Sequence, residues 1–476
     1  MQSQVGSFTQ KSMEEDLGSH HNQVWIIPCR TRGHLAGRRT FRRPESPPPS
    51  SSIFVFPQVI HLLPVPILLQ SHSRSAMAAT QPILQTSATN NEIHAKLITE
   101  LQGQTMHVPD MLSRFSHWPA RGRNKFYNRL KAEIDDIVQR CYPDDFSRKK
   151  ANKNNFAFFT SIWYPDIDFE HLYTGGIFSY WIFAVDDLMD ANGEALSLDI
   201  DASTRYREQA INFCRYWLGL ESLPTRAPAA SPPAKSTISS IISSLFARLP
   251  PFHPAPTPEP EAPNLPTGVF KEFGQRVCRN HSVAFREAFA KEIALYFDHC
   301  EIEQRERLTG KTSPDLETYL SIRYYTSAVR LYCYITQICY GVEIPQWIVD
   351  TPEMKTVWDE TDYIILLSND ILSAKKELAA GCVHNAVPVM YHQGQPLSAI
   401  VPQIVKRMEE SRDRFDDAAA KIQEMCKKQP DVLAAVNQYM DGLKTISTGT
   451  IEFCTISPRY GLEPYFNADG SMDVVL

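Results

Sequence analysis

The chain has 476 residues, of which 43% are hydrophobic, and its formal net charge is −6. This length allows one large domain or two to three average ones with a substantial core. The negative charge and the lack of a basic stripe argue against a nucleic-acid-binding protein. The ten cysteines form no CxxC pair, so the sequence predicts reduced thiols in a cytoplasmic protein, without a zinc site or a disulfide framework.

Residues 1–76 differ from the rest of the chain and lack the pattern of a folded domain. They carry a net charge of +4, whereas the remaining residues carry −10. Their apolar run at 53–70 contains three prolines and is short for a membrane span of about 20 residues, so we predict no stable span. We interpret 1–76 as a disordered extension or a gene-prediction artefact upstream of a true start at Met77. A mitochondrial targeting segment is the alternative.

From about Ile93 onward, apolar residues recur at helical spacing, and no convincing strand pattern interleaves with them. The sequence therefore predicts an all-α fold, a single helical bundle domain at 77–476. The predicted helices are 125–141, 172–189, 204–220, 269–307, a helical segment from 315 to 340, 347–377, 397–427 and 431–454.

A proline-rich segment at 224–266 interrupts the helical pattern and holds 12 of the 34 prolines. Six apolar residues inside it follow one face of a short amphipathic helix. They are Ile238, Ile241, Ile242, Leu245, Phe246 and Leu249. We interpret the segment as a surface insertion; docking of its helix on the body, a partner or a membrane surface is the alternative.

An aspartate-rich motif follows an apolar and aromatic segment. Asp186 and Asp190 lie one turn apart on the predicted helix and share a face, and Asp187 belongs to the same motif. The preceding residues 176–185 are almost all apolar, which predicts a buried helix. Buried carboxylates are costly unless they are paired or bind a metal ion. The pattern therefore favours metal binding over a solvated acidic run.

A second polar motif lies on the predicted helix 347–377. Asn369, Ser373 and Glu377 are spaced by four residues, so their oxygen atoms line one stripe of the helix. Lys376 lies beside Glu377, where it can reach a phosphate oxygen. Oxygen ligands on two facing helices suit Mg²⁺, which is often shared with substrate phosphates. The two motifs together predict a site for a metal-bound diphosphate.

With these motifs the chain resembles the class I terpene synthases, in particular fungal sesquiterpene cyclases of the trichodiene or aristolochene synthase type. Asp186-Asp187-x-x-Asp190 fits the family's aspartate-rich motif, and Asn369, Ser373 and Glu377 fit its second metal motif. The family also has an arginine 46 residues before that asparagine, and a late Arg-Tyr pair. The matching residues here are Arg323, Arg459 and Tyr460.

The resemblance implies a Mg²⁺-dependent lyase that ionises farnesyl diphosphate and cyclises the carbocation to a sesquiterpene hydrocarbon or alcohol. It implies three Mg²⁺ ions, bound through the two motifs. The implied metal ligands are Asp186, Asp187, Asp190, Asn369, Ser373 and Glu377. The implied diphosphate donors are Arg323, Lys376, Arg459 and Tyr460.

Aromatic side chains are needed to hold a carbocation without trapping it, because their faces attract positive charge. Phe183 lies about one turn before Asp186 and is predicted to face the same cavity. The other candidates are Phe158, Phe159, Tyr180 and Phe453, for which core packing is the competing interpretation.

Alternatives from other classes remain at this point. A mono- or diterpene cyclase or a chain-elongating prenyltransferase would use another isoprenoid diphosphate, although prenyltransferases usually carry two aspartate-rich motifs. A non-catalytic helical scaffold would leave Asp187, Asn369 and Glu377 unexplained on apolar helices. The sequence predicts either a monomer or a homodimer, and it identifies no product.

Overall fold

A computed structural model of the protein describes residues 92–119, 122–189, 195–221, 259–309, 313 and 315–476. The predicted extension at 1–76, the insertion helix at 238–249 and Asp190 lie outside the described residues, so these interpretations stay predictions. In the described ranges, helices dominate. They are α1 (92–101), α2 (Tyr127–Cys141), α3 (Asp145–Lys153), α4 (Phe156–Trp163), α5 (Phe169–Met189), α6 (Ala195–Leu198), α7 (Ile200–Trp217), α8 (Leu265–Gly268), α9 (Phe270–Asn280), α10 (Val283–Leu308), α11 (Leu316–Thr326), α12 (Val329–Tyr340), α13 (Gln346–Val349), α14 (Pro352–Ala379), α15 (Ala386–His392), α16 (Leu397–Cys426) and α17 (Pro430–Ile456).

The predicted all-α fold is confirmed. Long helices α5, α10, α14 and α17 pack with α4, α11 and α12 around a cavity, and α16 lies against α14 on the outside. Helices α5 and α12 are buried along almost their whole length. This agrees with their nearly continuous apolar sequence, since a helix that is hydrophobic on all sides belongs in a core.

Three helical segments predicted as continuous are each divided. The segment 347–377 breaks at 350–351, between α13 and α14. The run 269–307 breaks at His281 and Ser282, where the Ser282 side chain caps α10 by accepting from the Phe285 amide. The segment 315–340 breaks at Ala328, which has a φ of 62°. A non-glycine residue in this left-handed region is strained, so the surrounding contacts must hold it there.

A short two-stranded sheet, which the sequence pattern did not predict, joins distant parts of the chain. Strand β1 (Thr105–Val108) pairs antiparallel with β2 (Met472–Val475), with Thr105 opposite Val475. The Lys375 ammonium on α14 also donates to the Val475 carbonyl oxygen at 2.5 Å. The C-terminal segment is thereby fastened beside the end of α14.

A close approach between α7 and α9 gives a stability prediction. A Cβ atom added at Gly274 would lie 2.6 Å from the backbone oxygen of Trp217, whereas one added at Gly176 would meet side-chain methyl groups, the nearest of them on Leu130 at 2.8 Å. Backbone cannot rotate away as a leucine methyl can. We expect Gly274→Ala to lower the free energy of unfolding by about 1–3 kcal/mol.

The matched control is Gly176→Ala, which also lies inside a helix and gains the same helix propensity of about 1 kcal/mol. Urea denaturation of both variants gives the comparison. If Gly274→Ala is as stable as Gly176→Ala, the close α7–α9 contact is not rigid.

Candidate active site

One cavity of about 240 Å³ brings together residues from both predicted motifs. Helices α5, α10, α14 and α17 line the cavity, and on α10 and α14 the charged lining residues lie nearer the C-terminal end. The cavity is therefore polarised. Its polar part is lined by Asp186, Glu303, Arg307, Arg323, Asn369, Lys376, Glu377, His384, Arg459 and Tyr460. Its apolar part is lined by residues that include Phe159, Trp163, Ile182, Phe183, Tyr332, Ile365, Leu366 and Phe453.

On α5, helical geometry separates the two described aspartates of the first motif. Asp186 lines the cavity and accepts a hydrogen bond from the Tyr296 hydroxyl at 3.1 Å. Asp187 does not line it, and its Oδ2 instead accepts from Asn154 Nδ2 at 3.2 Å. Consecutive helical residues point about 100° apart, which explains the difference.

On α14, two members of the second motif line the cavity and the third lies behind them. Asn369 and Glu377 are lining residues, whereas Ser373 is only 1% exposed. Asn369 Nδ2 donates to the Tyr460 hydroxyl oxygen at 3.2 Å and to Cys454 Sγ at 3.7 Å. Because its amide nitrogen is used in this way, the Oδ1 atom of Asn369 is left to act as a ligand.

The predicted diphosphate donors Arg323, Lys376, Arg459 and Tyr460 all line the polar part of the cavity. The Lys376 ammonium lies 5.7 Å from the centre of the Tyr460 ring. Burial raises the pKa of the Tyr460 hydroxyl well above its usual value, so this group stays protonated and can donate. The cavity therefore presents a convergent set of donors.

Arg323 on α11 is held close to α14. Its Nη2 atom lies 3.9 Å from Asp370 Oδ1, and Asp370 Oδ2 accepts from the Tyr319 hydroxyl at 2.7 Å. Burial raises the pKa of the Asp370 carboxyl to about 7, although the Arg323 guanidinium opposes this shift. Asp370 is therefore a buried anchor for Arg323, not a cavity residue.

The aromatic part of the cavity centres on Phe159. Its ring centre lies 5.2 Å from that of Phe183, 5.1 Å from Phe453 and 4.2 Å from Trp163. Phe183 links the two parts of the cavity, because the Arg459 guanidinium carbon lies 5.7 Å from its ring centre. Of the other sequence candidates, Phe158 and Tyr180 do not line the cavity.

Comparisons with known proteins agree with this site. The family "Terpene synthase family 2, C-terminal metal binding" matches residues 178–414, which contain both motifs. Sesquiterpene cyclase hepA of Aspergillus oryzae is 25% identical over 386 residues, covering 80% of this chain and 96% of that protein. This chain belongs to the class I terpene synthases. The synthase is accordingly an enzyme of the lyase class, a terpene cyclase in a family whose C-terminal region binds metal.

Other relatives of the synthase match over shorter regions. Sesquiterpene synthase 3 of Postia placenta is 30% identical over 186 residues, which cover 39% of this chain and 48% of that protein. Among solved structures, linalool/nerolidol synthase from Streptomyces clavuligerus superposes with a TM-score of 0.55 at 17% identity, over 71% of this chain and 98% of that chain. The structural likeness supports the helical fold. The more specific resemblance to trichodiene or aristolochene synthases remains a prediction.

The structure of the synthase adds cavity residues that the sequence did not indicate. Glu303 and Arg307 on α10 line the cavity together with two other residues of the same helix. These are Tyr296 and Cys300, and all four lie on one stripe of α10. Burial alone would raise the pKa of the Glu303 carboxyl, but His384 and Arg323 outweigh it and hold that pKa below its usual value. The regular spacing from Tyr296 to Arg307 is the signal that could have found them.

In the described ranges, no helix of the synthase is long and apolar enough to cross a membrane. Within the same ranges, no group of three or more His, Cys, Asp or Glu side chains is arranged to hold a metal ion by itself.

Proposed function

We propose that the chain is a Mg²⁺-dependent sesquiterpene synthase that ionises farnesyl diphosphate and cyclises the resulting carbocation. The observation that carries this proposal is the polarised cavity, with converging cations and carboxylates in one part and aromatic faces in the other. An isoprenoid diphosphate has the same division between an anionic head and an apolar chain. The sesquiterpene synthases among the relatives support the C15 chain length.

The donor set fits a hard divalent cation. Asp186, Asn369 and Glu377 present carboxylate and amide oxygens to one cavity, and Ser373 adds a hydroxyl behind them. Mg²⁺ prefers such oxygen donors and usually shares its remaining positions with water and substrate phosphates. We propose these residues as ligands for up to three Mg²⁺ ions, with Asp187 and Asp190 as further candidates from the same motif. When bound, the ions would supply Lewis-acid stabilisation of the leaving diphosphate.

The basic residues orient and stabilise the head group. Arg323, Lys376 and Arg459 approach the cavity from α11, α14 and the segment after α17, and Tyr460 adds a hydroxyl donor. Donors fixed in place before the reaction are most effective where negative charge develops. The C1–O bond of the substrate breaks with its electron pair leaving on the diphosphate, and an allylic carbocation remains.

The aromatic residues then shape and protect the cation. Phe159, Phe183 and Phe453 surround one space, and Trp163 and Tyr332 extend it. Their faces attract positive charge, and their bulk keeps water away while a double bond of the chain attacks the cationic carbon. The last cation loses a proton to give a hydrocarbon, or gains water and loses a proton to give an alcohol.

We also propose a cytoplasmic location and a monomer or homodimer. All nine cysteines within the described residues are free thiols, as expected in a reducing compartment.

The proposal is tested by incubating the full chain with Mg²⁺ and geranyl, farnesyl or geranylgeranyl diphosphate in turn. Diphosphate release gives kcat/KM for each chain length, and gas chromatography–mass spectrometry identifies the products. We expect the highest kcat/KM with farnesyl diphosphate and cyclic C15 products. A preference for a C10 or C20 substrate would make the enzyme a mono- or diterpene cyclase. Chain elongation with added isopentenyl diphosphate would make it a prenyltransferase, and no release from any substrate would favour a scaffold.

Phe183→Ala tests the proposed aromatic wall. Phe183 contacts Phe159 on one side and lies near the Arg459 guanidinium on the other, so its loss opens space beside the new cation. We expect a changed product mixture with more early-quenched alcohols, whereas the rate of diphosphate release should fall by about tenfold or less, because one cation–π contact contributes about 1 kcal/mol. Product analysis and diphosphate release are measured in the same reaction.

The matched control is Phe158→Ala, since Phe158 neighbours Phe159 in the sequence but does not line the cavity. An unchanged product mixture for Phe183→Ala would remove Phe183 from the substrate pocket.

A further inference from the structure

Asn385 lies between α14 and α15 and has no role in either metal motif. Its side chain is 1% exposed, and its Nδ2 donates to the Asp370 carbonyl oxygen at 2.8 Å and to Glu377 Oε2 at 2.9 Å. The same nitrogen lies 3.4 Å from Ser373 Oγ. One amide group therefore contacts two members of the second metal motif, Ser373 and Glu377, and the backbone carbonyl of Asp370 on the same helix.

The oxygen atom of the same amide group also takes part in a hydrogen bond. Asn385 Oδ1 accepts from the Val387 amide at 2.9 Å and caps α15. The following Ala386 amide donates to Asp370 Oδ2 at 3.0 Å, which fastens the segment to α14 a second time. Only a group with donors on one side and an acceptor on the other satisfies all these contacts, and the asparagine amide is such a group.

We propose that Asn385 is a positioning residue that fixes the side chains of Ser373 and Glu377 for metal binding. The inference rests on the proposed function, because it takes Ser373 and Glu377 as metal ligands. Partners that orient metal ligands typically change metal affinity or activity by about 10- to 100-fold when they are replaced. Asn385 would act through Glu377 and Ser373, without itself contacting the substrate.

A purely structural role for Asn385, as the cap of α15, makes a different prediction. Asp and Ser are also favoured at this position of a helix, so Asn385→Asp and Asn385→Ser retain the cap. Asn385→Asp places an oxygen atom where the Nδ2 group now donates to Glu377 Oε2. Asn385→Ser removes the Nδ2 group without adding charge. If only the cap matters, both variants bind metal as the wild type does.

The experiment measures Mn²⁺ binding by electron paramagnetic resonance in the presence of inorganic diphosphate, with the full-length protein. Thermal unfolding of each metal-free variant is recorded alongside. We expect both Asn385 variants to raise the half-saturating Mn²⁺ concentration by about 10- to 100-fold. The control is Asn264→Asp, the same chemical change at the cap of α8, whose side chain accepts from the Thr267 amide away from the cavity. Its Mn²⁺ binding should equal that of the wild type.

The outcomes test the proposed function and the positioning role of Asn385 separately. If the wild type binds no Mn²⁺ with diphosphate, the proposed function fails. If the wild type binds Mn²⁺ and both Asn385 variants bind it equally well, the positioning role is overturned, whatever happens to their melting temperatures. If Asn385→Asp does not fold, Asn385→Ser decides; if neither folds, Asn385 is required for folding and the inference is likewise overturned.

Discussion

Replacing Glu377 with glutamine is expected to lower kcat for diphosphate release by about 10²–10³-fold, the range typical for removing one electrostatic contact of the transition state. Glutamine has the same shape as glutamate, and its Oε1 can still accept the hydrogen bond from Asn385 Nδ2. The change therefore removes a negative charge from the polar part of the cavity without creating a void. The concentration of Mg²⁺ needed for half-maximal rate should rise at the same time.

The matched control for this prediction is Glu353→Gln on the same helix. Glu353 lies in the first turn of α14, 24 residues before Glu377, and at about 1.5 Å per residue it is roughly 36 Å away. Its loss should leave kcat unchanged. Near-normal turnover in Glu377→Gln, with the same Mg²⁺ dependence as the wild type, would remove Glu377 from the metal site.

Replacing Arg323 with alanine is expected to reduce kcat for diphosphate release by a similar factor of about 10²–10³. Arg323 lines the cavity and is oriented by Asp370, whose Oδ1 lies 3.9 Å from Arg323 Nη2. The Asp370 carboxyl keeps its hydrogen bonds from the Tyr319 hydroxyl and the Ala386 amide in this variant. The fold should therefore survive, which circular dichroism can verify.

Arg323→Lys is the conservative control. Lysine keeps the positive charge but loses the planar fork of donors that suits a phosphate, so we expect a loss intermediate between the wild type and Arg323→Ala. Steady-state kinetics with farnesyl diphosphate give kcat and KM separately for each variant. If Arg323→Ala raises KM alone and leaves kcat intact, Arg323 contributes to substrate binding and not to ionisation.

Helical periodicity explains how much of the site could be predicted from the sequence. A four-residue spacing placed Asn369 and Glu377 on one stripe, and both line the cavity. The same periodicity places Phe183 with Asp186 and turns Asp187 toward Asn154. Residues on one helix can thus be assigned to a face before a structure is known, provided that one member of the stripe is identified.

Features that depend on contacts between distant segments were not predictable in this way. Ala328 adopts a positive φ although alanine does not favour it, so no local signal marks the break between α11 and α12. Trp163 and Tyr332 belong to helices that are buried almost all round, where apolar periodicity does not show which side faces the cavity. Asn385 gives only the signal of a helix cap, whereas its contacts with α14 arise from the tertiary fold.

The most direct test of the account is the reaction of the purified full-length protein with farnesyl diphosphate and Mg²⁺, with volatile products identified by gas chromatography–mass spectrometry. We expect a cyclic C15 hydrocarbon or alcohol that is lost when EDTA removes the metal and returns when excess Mg²⁺ is added. Cyclic product that persists after chelation, or intact substrate under all three conditions, would contradict a metal-dependent cyclase in this cavity.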